Sequence, residues 1–303
     1  DVDGITSTIL LHEVLRKRGA KVRWQIPVGQ DDYGLTMEVV ESAAAASCRL
    51  LITVDCGASN AAEVTRAAAP GMDTIVLDHH NPPATATAFP ETVSLINPKG
   101  DEPDYPFRDL AGCGVVAKVA LALAISDSPL YGRPQWLLHA QPGNGTCTLR
   151  ALRMLDLRCV EQLTEILPHG LDSLRRSRLY RELGGETALV YGLADQQRLL
   201  AEVGGPADLG LQDLEPEAAR LFPDLAGKSL LRLRESDWLP PPRPAEEWQV
   251  LSALYTAVAW KGHGLEQALE PLLDLAALGT IADLMPLVDE NKLIVRRGLS
   301  VMN

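Results

Sequence analysis

Residues 49–80 read RLLITVDCGASNAAEVTRAAAPGMDTIVLDHH, and this stretch decides the fold. Arg49–Asp55 and Thr74–Asp78 are apolar runs that each end on an aspartate, and residues 60–69 between them have helical spacing. An apolar run of strand length belongs to a strand covered on both faces. Strand, helix, strand at this spacing is the repeat that builds a parallel sheet. The pattern continues outward. Residues 5–18 (ITSTILLHEVLRKR) place Ile5, Ile9, Val14 and Leu15 mostly on one helical face, with Gly19 as a stop. Lys21–Pro27 reads as a short strand and residues 34–45 as a helix. Val93–Asn97 reads as another buried strand and Gly112–Ile125 as a helix. The expected fold class is α/β, a doubly wound and mostly parallel sheet whose carboxyl strand edge is where such folds place ligands.

From Ser126 to about Ala245 the pattern weakens. Helix-like segments at 148–166, 194–203 and 215–221 surround one strand candidate, Thr187–Tyr191. Pro240-Pro241-Pro242-Arg243-Pro244 reads as a linker. The expected organisation is therefore a first part of the sheet domain at 1–125, a largely helical or α/β insertion at 126–245, and a helical completion of the sheet domain at 246–303. The first strand of the sheet is expected ahead of Asp1.

Composition limits the function. The 303 residues are 46% hydrophobic and 22% charged, with net charge −12 and a pI near 5.0. A protein that simply coats nucleic acid electrostatically is excluded by that charge; an enzyme that meets phosphates through bound divalent metal is not. No run of 18 apolar residues is present, so no membrane contact through a spanning helix is expected, and no signal peptide is expected either. Five cysteines without a CxxC pair argue against a disulfide framework and a thiolate zinc site. A reducing, cytoplasmic setting fits.

Three acidic or histidine clusters end or follow expected strands: Asp1-Val2-Asp3-Gly4, Val54-Asp55-Cys56-Gly57 and Leu77-Asp78-His79-His80. Hard divalent cations take carboxylate oxygens, and imidazole tilts the preference towards manganese, iron or zinc. Carboxylates gathered from several strand ends with one or two histidines make a two-metal site for phosphoryl chemistry. Taken singly, each cluster has a plainer reading. Asp1 and Asp3 suit an N-cap and first-turn acid, Asp55 an ordinary strand-to-turn residue, and His79-His80 a solvated loop pair. All three at successive strand ends of one sheet favour metal. Gly112 and Gly114 at a helix start would present backbone amides to a phosphate, or simply allow close packing. Lys118, one turn on, would reach a phosphate, or stand exposed. Arg175, Arg176 and Arg178 form a basic patch in the insertion, read either as a nucleic-acid or partner contact or as solvated surface.

LDHHNPP resembles the signature of the DHH phosphoesterase superfamily, and its surroundings resemble the RecJ-like branch, single-strand-specific DNA exonucleases. The matching stretches are DVDGITSTILL (1–11), LLITVDCGASN (50–60), TIVLDHHNPP (74–83), INPKG (96–100), YPFRDLAGCGVVAKVALAL (105–123) and LLDLAALGTIADLMPLVDENKLIVRRGL (272–299). The resemblance implies that Asp1 is the second acid of a D-x-D-x-D-G motif and a metal ligand, with Asp3 the supporting third acid. It implies that Asp55 bridges two metals, that His79 binds metal, and that His80 binds metal or the scissile phosphate. Asp78 would hold the loop and orient an imidazole. Asp283 in GTIAD would be the last ligand; without the resemblance it reads as a helix-end acid. The implied activity is Mn²⁺- or Mg²⁺-dependent phosphodiester hydrolysis with two ions, releasing mononucleotides 5′ to 3′ from single-stranded DNA in repair or recombination. A repair or replication protein is the further partner expected of the insertion. Alternatives are a phosphodiesterase of short oligonucleotides or cyclic dinucleotides, and a non-catalytic replication scaffold. The separation of 203 positions from His80 to Asp283 is longer than the compact family pattern, and the insertion accounts for the excess.

Overall fold

The computed structural model describes every residue except 29–33, 70, 83–88, 101–104, 171, 206–208, 237, 240–242 and 303. The proline cluster expected as a linker therefore lies mostly outside the described residues. Along the chain run α1 (Val2–Lys17), α2 (Met37–Ala45), β1 (Leu50–Val54), α3 (Ala61–Ala68), β2 (Asp73–Leu77), β3 (Val93–Ile96) and α4 (Gly112–Ser126). Next come β4 (Gln135–Pro142), β5 (Thr146–Leu155), β6 (Arg158–Pro168), α5 (Arg178–Leu183), β7 (Ala188–Val190), α6 (Leu193–Glu202) and β8 (Leu211–Asp213). Six helices finish the order: α7 (Glu215–Leu221), α8 (Leu230–Glu235), α9 (Glu247–Gly262), α10 (Leu265–Leu269), α11 (Leu273–Ala282) and α12 (Asp289–Val301). The chain divides into two compact units, residues 1–124 with 266–303 and residues 125–265.

The first unit is a three-layer α/β sandwich. Its sheet is parallel in the order β1-β2-β3. Ile52, Val54, Ile75 and Leu77 face a core made with α1, α4, α11 and α12, and Leu51, Val76 and Val93 face a second core made with α2 and α3. Alternation along the strands feeds both cores, which is why the strands read as unbroken apolar runs. Lys21–Pro27, expected as a strand, is irregular. On α1, Ile5 and Ile9 are exposed, and the buried face runs instead through Asp3, Thr6, Ser7, Leu10 and Val14. That face is polar at its start because it carries Asp3 inward. The helix stops as its sequence predicts: Gly19, at φ 81°, and Ala20 donate back to the carbonyls of Arg16 and Leu15.

The second unit is built on a mixed five-stranded sheet, β6-β5-β4-β7-β8. Residues 148–166 are therefore two antiparallel strands and not a helix. The period of two carries the signal: Cys147, Leu149 and Ala151 alternate with polar neighbours and face one core, whereas Leu152 and Met154 belong to another. Asp156 and Leu157, at φ 49° and 67°, make the two-residue turn between them. The helix α9, drawn by the sequence reading into the closing segment 246–303, belongs to this unit. Val250, Leu251, Leu254 and Val258 bury against Leu137, Leu152 and the α7–α8 region. No helix among the described residues is long and apolar enough to cross a membrane.

Candidate metal centre

The parallel register fixes where the acids fall. Val54 pairs with Leu77 and Leu77 with Ile96, so Asp55, Asp78 and Asn97 stand side by side one residue past the ladder. The last ladder bonds run to these residues: Asp55 N donates to Leu77 O at 2.9 Å and Asp78 N to Ile96 O at 3.1 Å. Asp55 then turns into the left-handed region at φ 56°, a cost that a short polar side chain tolerates and that concentrates at functional sites. Gly57, at φ 112°, completes this turn, and a Cβ there would fall 2.5 Å from Thr53 Oγ1.

Asp78 does not face the cluster. Its Oδ2 accepts from Ala58 N (2.9 Å), and its Oδ1 accepts from His79 N (2.7 Å), His80 N (3.0 Å) and His80 Nδ1 (2.7 Å). Burial pushes its carboxyl pKa up, but the amides of His80 and Ala58 outweigh burial and hold it below the usual value. An ionised carboxylate only accepts, so His80 Nδ1 donates to Asp78 and Nε2 is the ring's other nitrogen, on a half-exposed side chain.

His79 is buried and points the other way. Its Nε2 lies 3.1 Å from Asp55 Oδ1, 3.6 Å from Asp283 Oδ2 and 3.8 Å from Asp3 Oδ2. Burial would lower its pKa, but the hydrogen bond and charge of Asp55, joined by Asp283 and Asp3, raise it. Burial and the neighbouring Asp3 charge raise Asp55 and Asp283 in turn. Three crowded carboxylates thus draw a positive charge into a desolvated spot. Two triads, Asp55–His79–His80 and Asp3–His79–Asp283, each hold their ligand atoms within 4.8 Å of one another. Oxygen and imidazole donors at this spacing suit a divalent cation of the manganese or magnesium kind.

Asp3, buried at the start of α1, is held from the far side. Gly112 N donates to its Oδ2 at 2.7 Å and Cys113 N to its Oδ1 at 2.9 Å. The anion at the N-terminus of α4 is therefore Asp3, and the Gly112 amide, expected to meet a phosphate, meets that carboxylate. Gly112 is needed for room: a Cβ would sit 2.9 Å from Asp55 Cβ and 3.1 Å from Asp3 Oδ2. Gly114 packs on Leu110. Lys118 is likewise committed elsewhere. Its Nζ lies 2.6 Å from Glu290 Oε2, and Tyr105 donates its hydroxyl to the same carboxylate. Asp1 stays on the outside as the N-cap of α1, its Oδ1 accepting from Gly4 N at 2.9 Å, yet a Cβ on Gly4 would meet both Asp1 Oδ1 (3.5 Å) and Asp55 Oδ2 (3.3 Å). Asp283 is the C-cap of α11, and only the packing of α11 on α1 brings it to Asp3. In the second unit, Arg176 and Arg178 pair with Asp172, Glu161 and Glu182 on the surface.

Sequence reasoning passed over Asn97. Its Nδ2 donates to His80 O (2.9 Å) and its Oδ1 accepts from Lys99 N (2.8 Å), tying the Asn97–Gly100 turn to the histidine loop. An Asn-Pro pair directly after an apolar strand was the available signal.

Residues 1–135 match the DHH family, N-terminal domain. Among curated proteins the chain is similar to the single-stranded-DNA-specific exonuclease RecJ of Bacillus subtilis, with 36% identity over 124 residues, 41% of this chain and 15% of that protein. It is 39% identical to RecJ of Escherichia coli and 40% identical to RecJ of Dickeya dadantii. Each match runs over 125 residues, 41% of this chain and 21% of the relative. The chain thus spans about a fifth or less of the length of these relatives. A crystal structure of exonuclease RecJ bound to manganese aligns over 99% of this chain and 41% of its own, at 21% identity and a TM-score of 0.46.

Proposed function

With a DHH-family N-terminal domain as the premise, we propose that this chain is the core of a divalent-metal-dependent phosphodiesterase acting on single-stranded DNA, releasing mononucleotides from the 5′ end in repair or recombination. The observation that carries the chemistry is the convergence of Asp3, Asp55 and Asp283 on the buried His79 Nε2. The choice of DNA over other phosphodiesters rests on the similarity to the RecJ exonucleases.

In this reading Asp1, Asp55, His79, His80 and Asp283 would hold divalent cations, Mn²⁺ or Mg²⁺, as a pair on the RecJ resemblance, with Asp55 central to the set. Such a pair supplies the charge that acidifies a water and neutralises the phosphate oxygens. The protein's own groups position everything else. Asp3 braces the cluster, its two oxygens held by the amides of Gly112 and Cys113. Asp78 keeps the proton on His80 Nδ1, leaving Nε2 to face metal or the scissile phosphate. His79 would have to give up the proton that its carboxylate neighbours favour before it could act as a ligand, so its availability to a metal rises with pH.

The test is cleavage of single-stranded DNA labelled at either end, in Mn²⁺, with His79→Ala as control. Mononucleotide released from the 5′ label and abolished by the substitution supports the reading. Cleavage of dinucleotides alone moves the chain to small substrates, and inertness towards both leaves a scaffold.

A further inference from the structure

We propose that Lys99, on the turn that follows β3, binds the phosphate next to the scissile one, so that the site favours a nucleotide strand over an isolated phosphodiester. The proposal rests on the phosphodiesterase reading above. Lys99 is placed by three fixed contacts. The turn closes with Gly100 N donating to Asn97 O at 3.0 Å, with Pro98 at the position proline presets. Asn97 clasps the turn to His80 through the two bonds already described. Arg108 Nη2 holds the Lys99 carbonyl at 2.7 Å from the other side. A lysine on a turn held at both ends is pre-organised, so little freedom is lost when a phosphate arrives.

Its location is equally specific. Ile96 pairs with Leu77, so the turn leaves the sheet beside the strand that delivers His79 and His80. Lys99 is half-buried, two residues past the sheet edge that carries Asp55, Asp78 and Asn97, on a turn tied to His80, and in a chain of net charge −12 it offers a positive charge to a strand whose neighbouring phosphate occupies the centre. Arg108, exposed and bonded to the same turn, adds a second positive charge on that side.

The full chain in Mn²⁺ is assayed on a short single-stranded oligonucleotide and on bis(p-nitrophenyl) phosphate, which has one phosphodiester and no neighbouring phosphate. Lys99→Ala is expected to lower the ratio of kcat/KM, oligonucleotide over aryl diester, roughly tenfold, the worth of one charge-assisted contact, and Lys99→Arg restores most of it. In a His79→Ala background, Lys99→Ala should also flatten the salt dependence of oligonucleotide binding by about 0.7 in log–log slope. A lysine that only balances Asp283 slows both substrates alike and changes Mn²⁺ affinity. That result, or an unchanged ratio and slope, overturns the proposal. A wild-type chain that cleaves neither substrate overturns the phosphodiesterase reading itself, and this one with it.

Discussion

Asp78→Asn tests the support beneath the metal centre while sparing the residues that converge on it. The carboxylate accepts four hydrogen bonds from a site that is almost fully buried. Asparagine keeps the shape but offers one acceptor oxygen. With that oxygen towards the His79 and His80 amides, its NH₂ opposes the Ala58 N–H and leaves a buried amide unpaired, at a cost of about 1–3 kcal/mol. The other three bonds lose their charge assistance, roughly 2 kcal/mol across them, since such bonds are about twice as strong as neutral ones. Relief from burying a charge offsets part of this, leaving a net loss of about 3 kcal/mol. The same substitution loosens the His80 ring, and the loss of such an outer partner typically weakens metal binding roughly 10–100-fold. Urea denaturation, hydrogen exchange at the Ala58 amide and calorimetric Mn²⁺ titration read the three consequences. Wild-type exchange at Ala58 together with wild-type Mn²⁺ affinity would refute the argument.

Three further outcomes are expected. Gly112→Ala drives a methyl to 2.9 Å from Asp55 Cβ, which is anchored to the backbone, and overpacking of this kind costs about 1–3 kcal/mol in urea denaturation with a parallel fall in Mn²⁺ affinity. Lys118→Ala removes a partly exposed ion pair with Glu290, so stability should fall by less than about 1 kcal/mol and DNA cleavage should match wild type; a tenfold loss of cleavage would return Lys118 to the substrate. His139, buried among the β4–β5 neighbours, has its pKa pushed down to about 4 by burial and by Arg150. The unfolded chain therefore binds the proton first, so stability is full above the unfolded value near 6.5 and declines as pH falls towards 4. His139→Gln should remove about 3 kcal/mol of that acid dependence, measured as the change in urea midpoint between neutral pH and pH 4.

Much of this protein is decided locally and can be read without coordinates. The apolar runs before Asp55 and Asp78 fix a parallel sheet, because only a strand covered on both faces tolerates no polar alternation. Their final residues then share one edge, since parallel register places the ends of neighbouring strands together. Residue types alone, carboxylates and imidazoles at successive strand ends, raise the expectation of a metal site. Tertiary packing decided the rest. Asp283 is 228 residues from Asp55 by position, and apart from the family resemblance of GTIAD it reads as a helix-end acid; the docking of α11 on α1 is what sets it beside His79 and Asp3. The amides of Gly112 and Cys113 found a carboxylate instead of a phosphate because α1 delivers Asp3 to them, a contact across more than a hundred residues. The assignment of α9 to the second unit turned on which apolar surface its face could cover, and Lys118 was settled by a glutamate on α12. Local pattern reports what a segment can form, whereas partners far along the chain determine what its polar groups meet once water is gone.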